Sequence, residues 1–159
     1  MPTMYVISGC NGSGKTTASY TILSELLQCR AFVNSDEIAR GISPFDLSNA
    51  AIDAGRVMLK RVRELSESKE DFAIETTLAV RSFASLIEKT KKKGYDVMLV
   101  YFWLKSPDLA VKRVQSRVMA GGHTIPENVI RRRYWSGIQN LFNIYIPLSD
   151  RWLLINNSD

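Results

Sequence analysis

Short apolar runs alternate along this chain with longer stretches in which apolar residues recur every three to four positions. The runs cover residues 5–7, 31–33, 72–74, 97–104 and 152–155; they are rich in Val, Ile, Phe and Tyr and scarcely alternate with polar residues. That pattern belongs to strands covered on both faces. Between them, residues 15–27 carry Ala18, Ile22, Leu23 and Leu26 on one helical face, and 49–66 carry Ile52, Val57, Leu59 and Val62 after an Asp46/Ser48 start signal. A third helix, 82–93, repeats Phe83, Leu86 and Ile87 and stops at Gly94; Lys91, Lys92 and Lys93 before it suit the negative end of a helix dipole without any ligand. Pro107 and Pro126 stand where two further helices begin, at the first helical position. A parallel strand pair requires a crossover, usually a helix, so this alternation predicts an α/β fold with a parallel sheet.

Composition narrows the class. The 159 residues suffice for one domain, 1–159, with its own core, and 45% hydrophobic with 23% charged residues is ordinary for a globular chain. No apolar run approaches the ~18 residues of a membrane span, and the first residues lack the basic start and cleavage site of a signal peptide. Cys10 and Cys29, without CxxC spacing, and a single histidine argue against disulfide or zinc frameworks and for a cytoplasmic location. The net charge of +5 favours an anionic partner, either nucleic acid or a phosphorylated small molecule.

The strongest motif is Gly9-Cys10-Asn11-Gly12-Ser13-Gly14-Lys15-Thr16, which satisfies G-x-x-x-x-G-K-[ST] and lies between a strand run and a helical one. Its glycines let backbone N–H groups curl around phosphate, and the helix behind adds its positive end. Lys15 is expected at the β- and γ-phosphates of ATP and the Thr16 hydroxyl on Mg2+, with Thr17 beside them. No strand run among the later ones ends in Asp, and neither a transporter signature nor a guanine-reading motif is present, which favours transfer to a substrate hydroxyl over hydrolysis.

The second run leads into Asn34-Ser35-Asp36-Glu37, and carboxyl ends of parallel strands share one crevice. Asp36 is therefore the candidate base for an acceptor hydroxyl, the competing reading being that Ser35 or Asp36 caps the next helix. Glu75, Thr76 and Thr77 follow the third run at the same edge and are candidates for binding substrate hydroxyls or a Mg2+-bound water. Arg113, Arg117, Arg131, Arg132 and Arg133 flank Gly121-Gly122-His123, the composition of a short helical lid over about 113–134. At most two of the last three arginines can point one way, with Arg117 and Arg133 preferred as catalytic and His123 as a hydrogen-bonding group.

Together these blocks resemble the zeta-toxin-like kinases, and more closely the small bacterial members often labelled predicted ABC-type ATPases. The resemblance rests on residues 9–16, on Phe32-Val33-Asn34-Ser35-Asp36-Glu37-Ile38-Ala39, Ser43-Pro44-Phe45-Asp46, Ala54-Gly55-Arg56 and Ile74-Glu75-Thr76-Thr77-Leu78, and on Gly121-Gly122-His123-Thr124-Ile125-Pro126 before Ile130-Arg131-Arg132-Arg133-Tyr134. It implies a three-layer P-loop NTPase fold, a five-stranded parallel sheet ordered 2-3-1-4-5, and ATP- and Mg2+-dependent phosphorylation of a hydroxyl. It also implies Asp36 as base and Glu75 as a substrate-binding carboxylate, with Arg56 and Arg81 as contacts for an anionic acceptor. Zeta toxins phosphorylate a UDP-N-acetylsugar and are opposed by an antitoxin, which implies a small-molecule substrate and an antitoxin partner. A polynucleotide 5′-hydroxyl kinase is the other enzyme class, disfavoured because no aromatic-interleaved basic groove is evident. A non-catalytic ATP-binding partner protein is the alternative outside enzymes.

Overall fold

In the computed structural model, which describes residues 1–159, every apolar run is a strand of one parallel sheet. The strands are β1 (Thr3–Gly9), β2 (Ala31–Val33), β3 (Phe72–Thr76), β4 (Asp96–Trp103) and β5 (Arg151–Asn156), in the order β2-β3-β1-β4-β5. The central strand β1 is buried along its whole length, as expected of a strand with helices over both faces. Its Ile7 stands beside Glu75 of β3 and Val100 of β4. This register brings the carboxyl ends of β1 and β3 to one edge.

The helices are α1 (Lys15–Thr21), α2 (Ser35–Ile42), α3 (Leu47–Ser68), α4 (Phe83–Lys92), α5 (Pro107–Met119), α6 (Glu127–Asn140) and the short α7 (Ile146–Leu148). α1 runs on into a π-helical turn, Ile22–Leu26, closed by Leu27 N–H on the Ile22 carbonyl at 2.9 Å. A second such turn, Leu141–Tyr145, links α6 to α7. On one face of the sheet, Met58, Val62 and Leu65 of α3 and Ile87 of α4 pack over Met4, Val6, Phe72, Ile74 and Leu99. On the other, Leu23 and Cys29 cover Tyr5, Ile7, Ala73 and Val100. The result is three layers, with each fully buried aliphatic side chain contributing about 1.5–3 kcal/mol. A third cluster joins Cys10 and Leu104 to Val111 and Val114 of α5 and Ile130 and Tyr134 of α6, so the roots of both helices are fixed beside the carboxyl edge. The Tyr134 hydroxyl donates to the Leu104 carbonyl at 2.6 Å.

Several local expectations change. Ile52, Val57 and Leu59 of α3 are exposed, and the face that packs is Ala50, Ala54, Met58, Val62 and Leu65. Small alanines meet their neighbours closely, so the buried stripe is set by fit and not by the bulkiest side chains. Leu26 is exposed as well, because the π-turn advances the chain out of the 3.6-residue phase. Pro126 is the N-cap of α6, with ψ 139°, one position before the helix proper. Finally, β5 is not covered on both faces: it is an edge strand paired only with β4, and Trp152, Leu153 and Leu154 are all exposed.

Candidate functional site

The loop between β1 and α1 has the backbone its glycines require. Gly12 and Gly14 adopt φ of +82° and +84°, and a Cβ at Gly12 would lie 2.8 Å from the Ala110 carbonyl. Asn157, after β5, donates through Nδ2 to the Ser13 carbonyl at 2.7 Å and so ties the loop to the far end of the chain. The N–H groups of Gly14, Lys15 and Thr16 find no acceptor in the protein, as at any helix start awaiting an anion. Ser13 Oγ, in the same loop, is buried without a hydrogen-bond partner.

A polar chain runs from this loop across the strand ends. Thr16 Oγ1 donates to Glu75 Oε1 at 2.7 Å, and Lys15 Nζ lies 3.9 Å from the same oxygen and 3.4 Å from the Cys10 carbonyl. Asn34 Nδ2 donates to Glu75 Oε2 at 3.1 Å, while Asn34 Oδ1 accepts from the Asp36 N–H at 2.9 Å. Burial lowers the Lys15 pKa and raises that of Glu75, each opposed by the other's charge. Thr16 and Asn34 add hydrogen bonds to the Glu75 carboxylate, and Lys15 donates one to the Cys10 carbonyl. Burial likewise pushes the Cys10 thiol up to about 11, which makes it an inert filler of the loop.

Asn34 is thus the N-cap of α2, and neither Ser35 nor Asp36 has that duty. Its role is legible in sequence only as another capping-type residue before a helix; its second bond, to Glu75, requires the sheet. The Asp36 carboxylate is left exposed in a cavity of 420 Å³ together with Lys15, Glu75, Thr76, Thr77, Arg132 and Arg133. A second cavity of 420 Å³ over Lys15, Thr16 and Thr17 is lined by Asp36, Arg40, Arg117 and His123. Arg133 reaches Asn11 Oδ1 at 3.3 Å, and Arg40 approaches His123 Nδ1 at 3.5 Å. Arg40, given no site role in the sequence reading, lines the site, and so does Arg132, named among the lid arginines but not preferred.

Two expected contacts are elsewhere. Arg56 is exposed and pairs with Asp53 on the outside of α3, and Arg81 stands on an exposed turn outside both cavities. Arg131 pairs with Asp108 and Glu127, and Arg113 reaches the Asp159 carbonyl at 3.3 Å, so neither faces Asp36. Beyond Thr76 the chain turns sharply through buried Leu78 at φ +60°, a left-handed conformation unusual for a branched residue. Asn140 Nδ2 donates to the Leu78 carbonyl at 2.8 Å and fixes the turn.

No cluster of three or more His, Cys, Asp or Glu side chains could cage a metal. A cation here must take few protein oxygens and complete its shell with phosphate and water. That is the habit of Mg2+, and the Thr16 hydroxyl beside the Glu75 carboxylate fits it.

A glycine-rich phosphate loop at the edge of a 2-3-1-4-5 sheet, with a lysine, a hydroxyl and carboxylates converging on it, defines a nucleotide-binding P-loop kinase fold. A family model described as Zeta toxin matches residues 1–143, and the chain belongs to that family. A protein of Haemophilus influenzae described only as uncharacterized is 32% identical over 126 residues, which are 79% of this chain and 88% of the other. Among solved structures, one from the PezAT chromosomal toxin-antitoxin system of Streptococcus pneumoniae aligns with a TM-score of 0.76 at 18% identity, covering 97% of this chain and 68% of that one. A chain of the Pnkp1/Rnl/Hen1 RNA repair complex aligns at 0.75 and 21% identity, over 90% of this chain and 46% of its own length. Shikimate kinase from Acinetobacter baumannii, determined with shikimate, aligns at 0.59 and 16%, over 98% and 84%. At these identities the structural likenesses establish the fold alone. No helix is long and apolar enough to cross a membrane.

Proposed function

We propose that the protein is an ATP- and Mg2+-dependent kinase that transfers the γ-phosphoryl group to a hydroxyl of a small molecule. One observation carries the reading: Asp36, its own N–H bound by Asn34, presents a free carboxylate in the cavity that also holds Lys15. The acceptor oxygen attacks the γ-phosphorus, the bond to the β–γ bridging oxygen breaks, ADP leaves, and the hydroxyl proton passes to Asp36. Lys15 binds the β- and γ-phosphates, and the backbone N–H groups of Gly9–Thr16 cradle them. Thr16, and Glu75 through water, would hold Mg2+, which neutralises phosphate charge as the bond breaks. Thr76, Thr77 and Glu75 are placed to orient the acceptor. Arg117, Arg133 and His123, on the arm of residues 113–134, act as a lid that covers the phosphates and excludes water.

The test is transfer of label from γ-labelled ATP into a metabolite extract, comparing wild type with Asp36→Asn. A labelled product that falls by roughly 10²–10⁴ in the variant is the expected result; undiminished transfer would sink the base assignment. If ATP raises the melting temperature, Lys15→Ala removes that shift, and no acceptor is ever labelled, the protein is a nucleotide-binding partner and not a kinase. The likeness to an RNA repair chain favours polynucleotide ends as a second acceptor class. Transfer to those would decline steeply with salt, whereas a small acceptor's would not. The likeness to the PezAT system supports an antitoxin as protein partner, which co-purification with the product of a neighbouring gene would test.

A further inference from the structure

A cavity of 760 Å³ lies away from the phosphate loop and runs between α3 and α4. Two stripes face each other across it: residues 51, 55, 58–59, 62–63 and 66 of α3, and 82–83, 85–86, 89–90 and 92–93 along α4. Such spacing follows one face of each helix from end to end. The groove adjoins the Asp36 cavity, and Ser35 and Phe83 line both. Its upper and middle walls are apolar, made by Met58, Leu59, Val62, Phe83 and Leu86. This also accounts for Leu59, an apolar residue half exposed with no packing duty in the fold.

Its far end is cationic. Arg63, Lys89, Lys92 and Lys93 all line it, whereas Asp53, Glu64, Glu67 and Glu88 of the same two helices lie outside the lining. Lys93 is held by Ser66 Oγ at 2.9 Å and Glu67 at 3.8 Å, but Arg63, Lys89 and Lys92 have no carboxylate partner. The dipole of α4 explains lysines near its end; it does not explain an arginine from α3 facing them across an apolar trough. Phe83 and Lys92 are nine positions apart on α4, a span of about 14 Å at 1.5 Å per residue.

We infer that the α3–α4 groove holds the tail of the acceptor, so that the substrate is an elongated molecule with a hydroxyl at Asp36, an apolar body along Leu59 and Leu86, and an anionic terminus at Arg63, Lys89 and Lys92. This rests on the kinase reading for the hydroxyl end only. The tail requires charge complementarity at one end and apolar cover in the middle, and both are in the walls of the groove. Arg56 and Arg81, expected to contact an anionic acceptor, take no part in it.

The experiment uses ω-hydroxylaurate, ω-hydroxybutyrate and α,ω-dodecanediol as probes of length and charge, titrated calorimetrically into the full chain with ADP and Mg2+ present. ω-Hydroxylaurate should bind at least tenfold more tightly than either of the other two, since only it has both the apolar body and the anion. The double variant Arg63→Glu/Lys89→Glu should weaken it at least tenfold, while Lys60→Glu, on the outer side of α3, should leave its affinity unchanged. Similar affinities for all three probes, or an unaltered affinity in the double variant, would overturn the groove assignment. A parallel assay with γ-labelled ATP should show ω-hydroxylaurate phosphorylated, with its KM raised in the double variant. Tight, charge-dependent binding without transfer overturns the acceptor role. Transfer to short polar alcohols alone keeps the kinase reading and overturns the tail.

Discussion

The strand ends and the α5–α6 arm both bring cations toward the glycine-rich loop, but they are built in opposite ways. At the strand ends Lys15 and Glu75 are buried, and Thr16 and Asn34 each donate to Glu75, at 2.7 and 3.1 Å. On the arm, Arg117 and His123 are exposed, and Gly121 adopts φ +100° where a Cβ would meet no neighbour. The buried network is closed by bonds within the protein, whereas on the arm Arg133 reaches only Asn11 and the Arg117 side chain has no partner in the protein. Preorganised dipoles in a dry site stabilise charge most strongly, and mobile exposed arginines contribute closure and selectivity.

Substitutions can separate these two constructions. Of the substitutions that divide the two regions, Lys15→Ala should have the largest effect, lowering kcat by about 10²–10³ and removing the ATP-induced rise in melting temperature. Thermal shift and initial rates measure both. Asn34→Ala comes next and should be felt twice: loss of the cap and of the donor to buried Glu75 should cost about 2 kcal/mol of stability, seen by urea unfolding. Its kcat should fall as well, since Asp36 and Glu75 lose their common anchor. Arg117→Ala and Arg133→Ala should each reduce kcat about tenfold while changing stability by less than about 0.5 kcal/mol. An arm arginine that destabilised the fold as much as Asn34 would collapse the distinction.

The smallest effect belongs to a polar group outside both regions. Burial raises the Asp150 pKa, but the Val97 N–H and Lys91 outweigh it and hold the carboxyl below its usual range. A depressed carboxylate stabilises above its unfolded pKa and loses that contribution as pH falls through the folded value. Asp150→Asn should therefore lower Tm by roughly 2–4 °C near neutrality, a difference that closes below about pH 4. A melting series across pH would show it.

The phosphate loop was legible because each of its residues is constrained locally: glycines for positive φ, a lysine and a threonine at fixed offsets, a strand before and a helix after. Asp36 was legible for a topological reason, since parallel strands deliver their carboxyl ends to one edge. Asn34 was not, because a capping residue looks alike whether or not its second hydrogen-bonding group meets a carboxylate from position 75. Arg131 was separable from Arg132 and Arg133 only by the phase at which α6 leaves its cap at Pro126. The packed face of α3 was misplaced because bulk suggested Ile52 and Val57, whereas fit against α2 selected Ala50 and Ala54.

Sequence alone determined the α/β class and the strand–loop–helix setting of positions 9–16, since local backbone preference and hydrophobic period act on neighbouring residues, while the strand order came from the family resemblance. Tertiary structure decided which charges meet. By sequence Lys91 to Lys93 need nothing beyond a helix dipole, yet the packing of α3 beside α4 sets Arg63 opposite Lys89 across a trough that adjoins the Asp36 cavity. Contacts between residues so far apart in the chain depend on how two helices seat on a shared sheet, which no local pattern encodes.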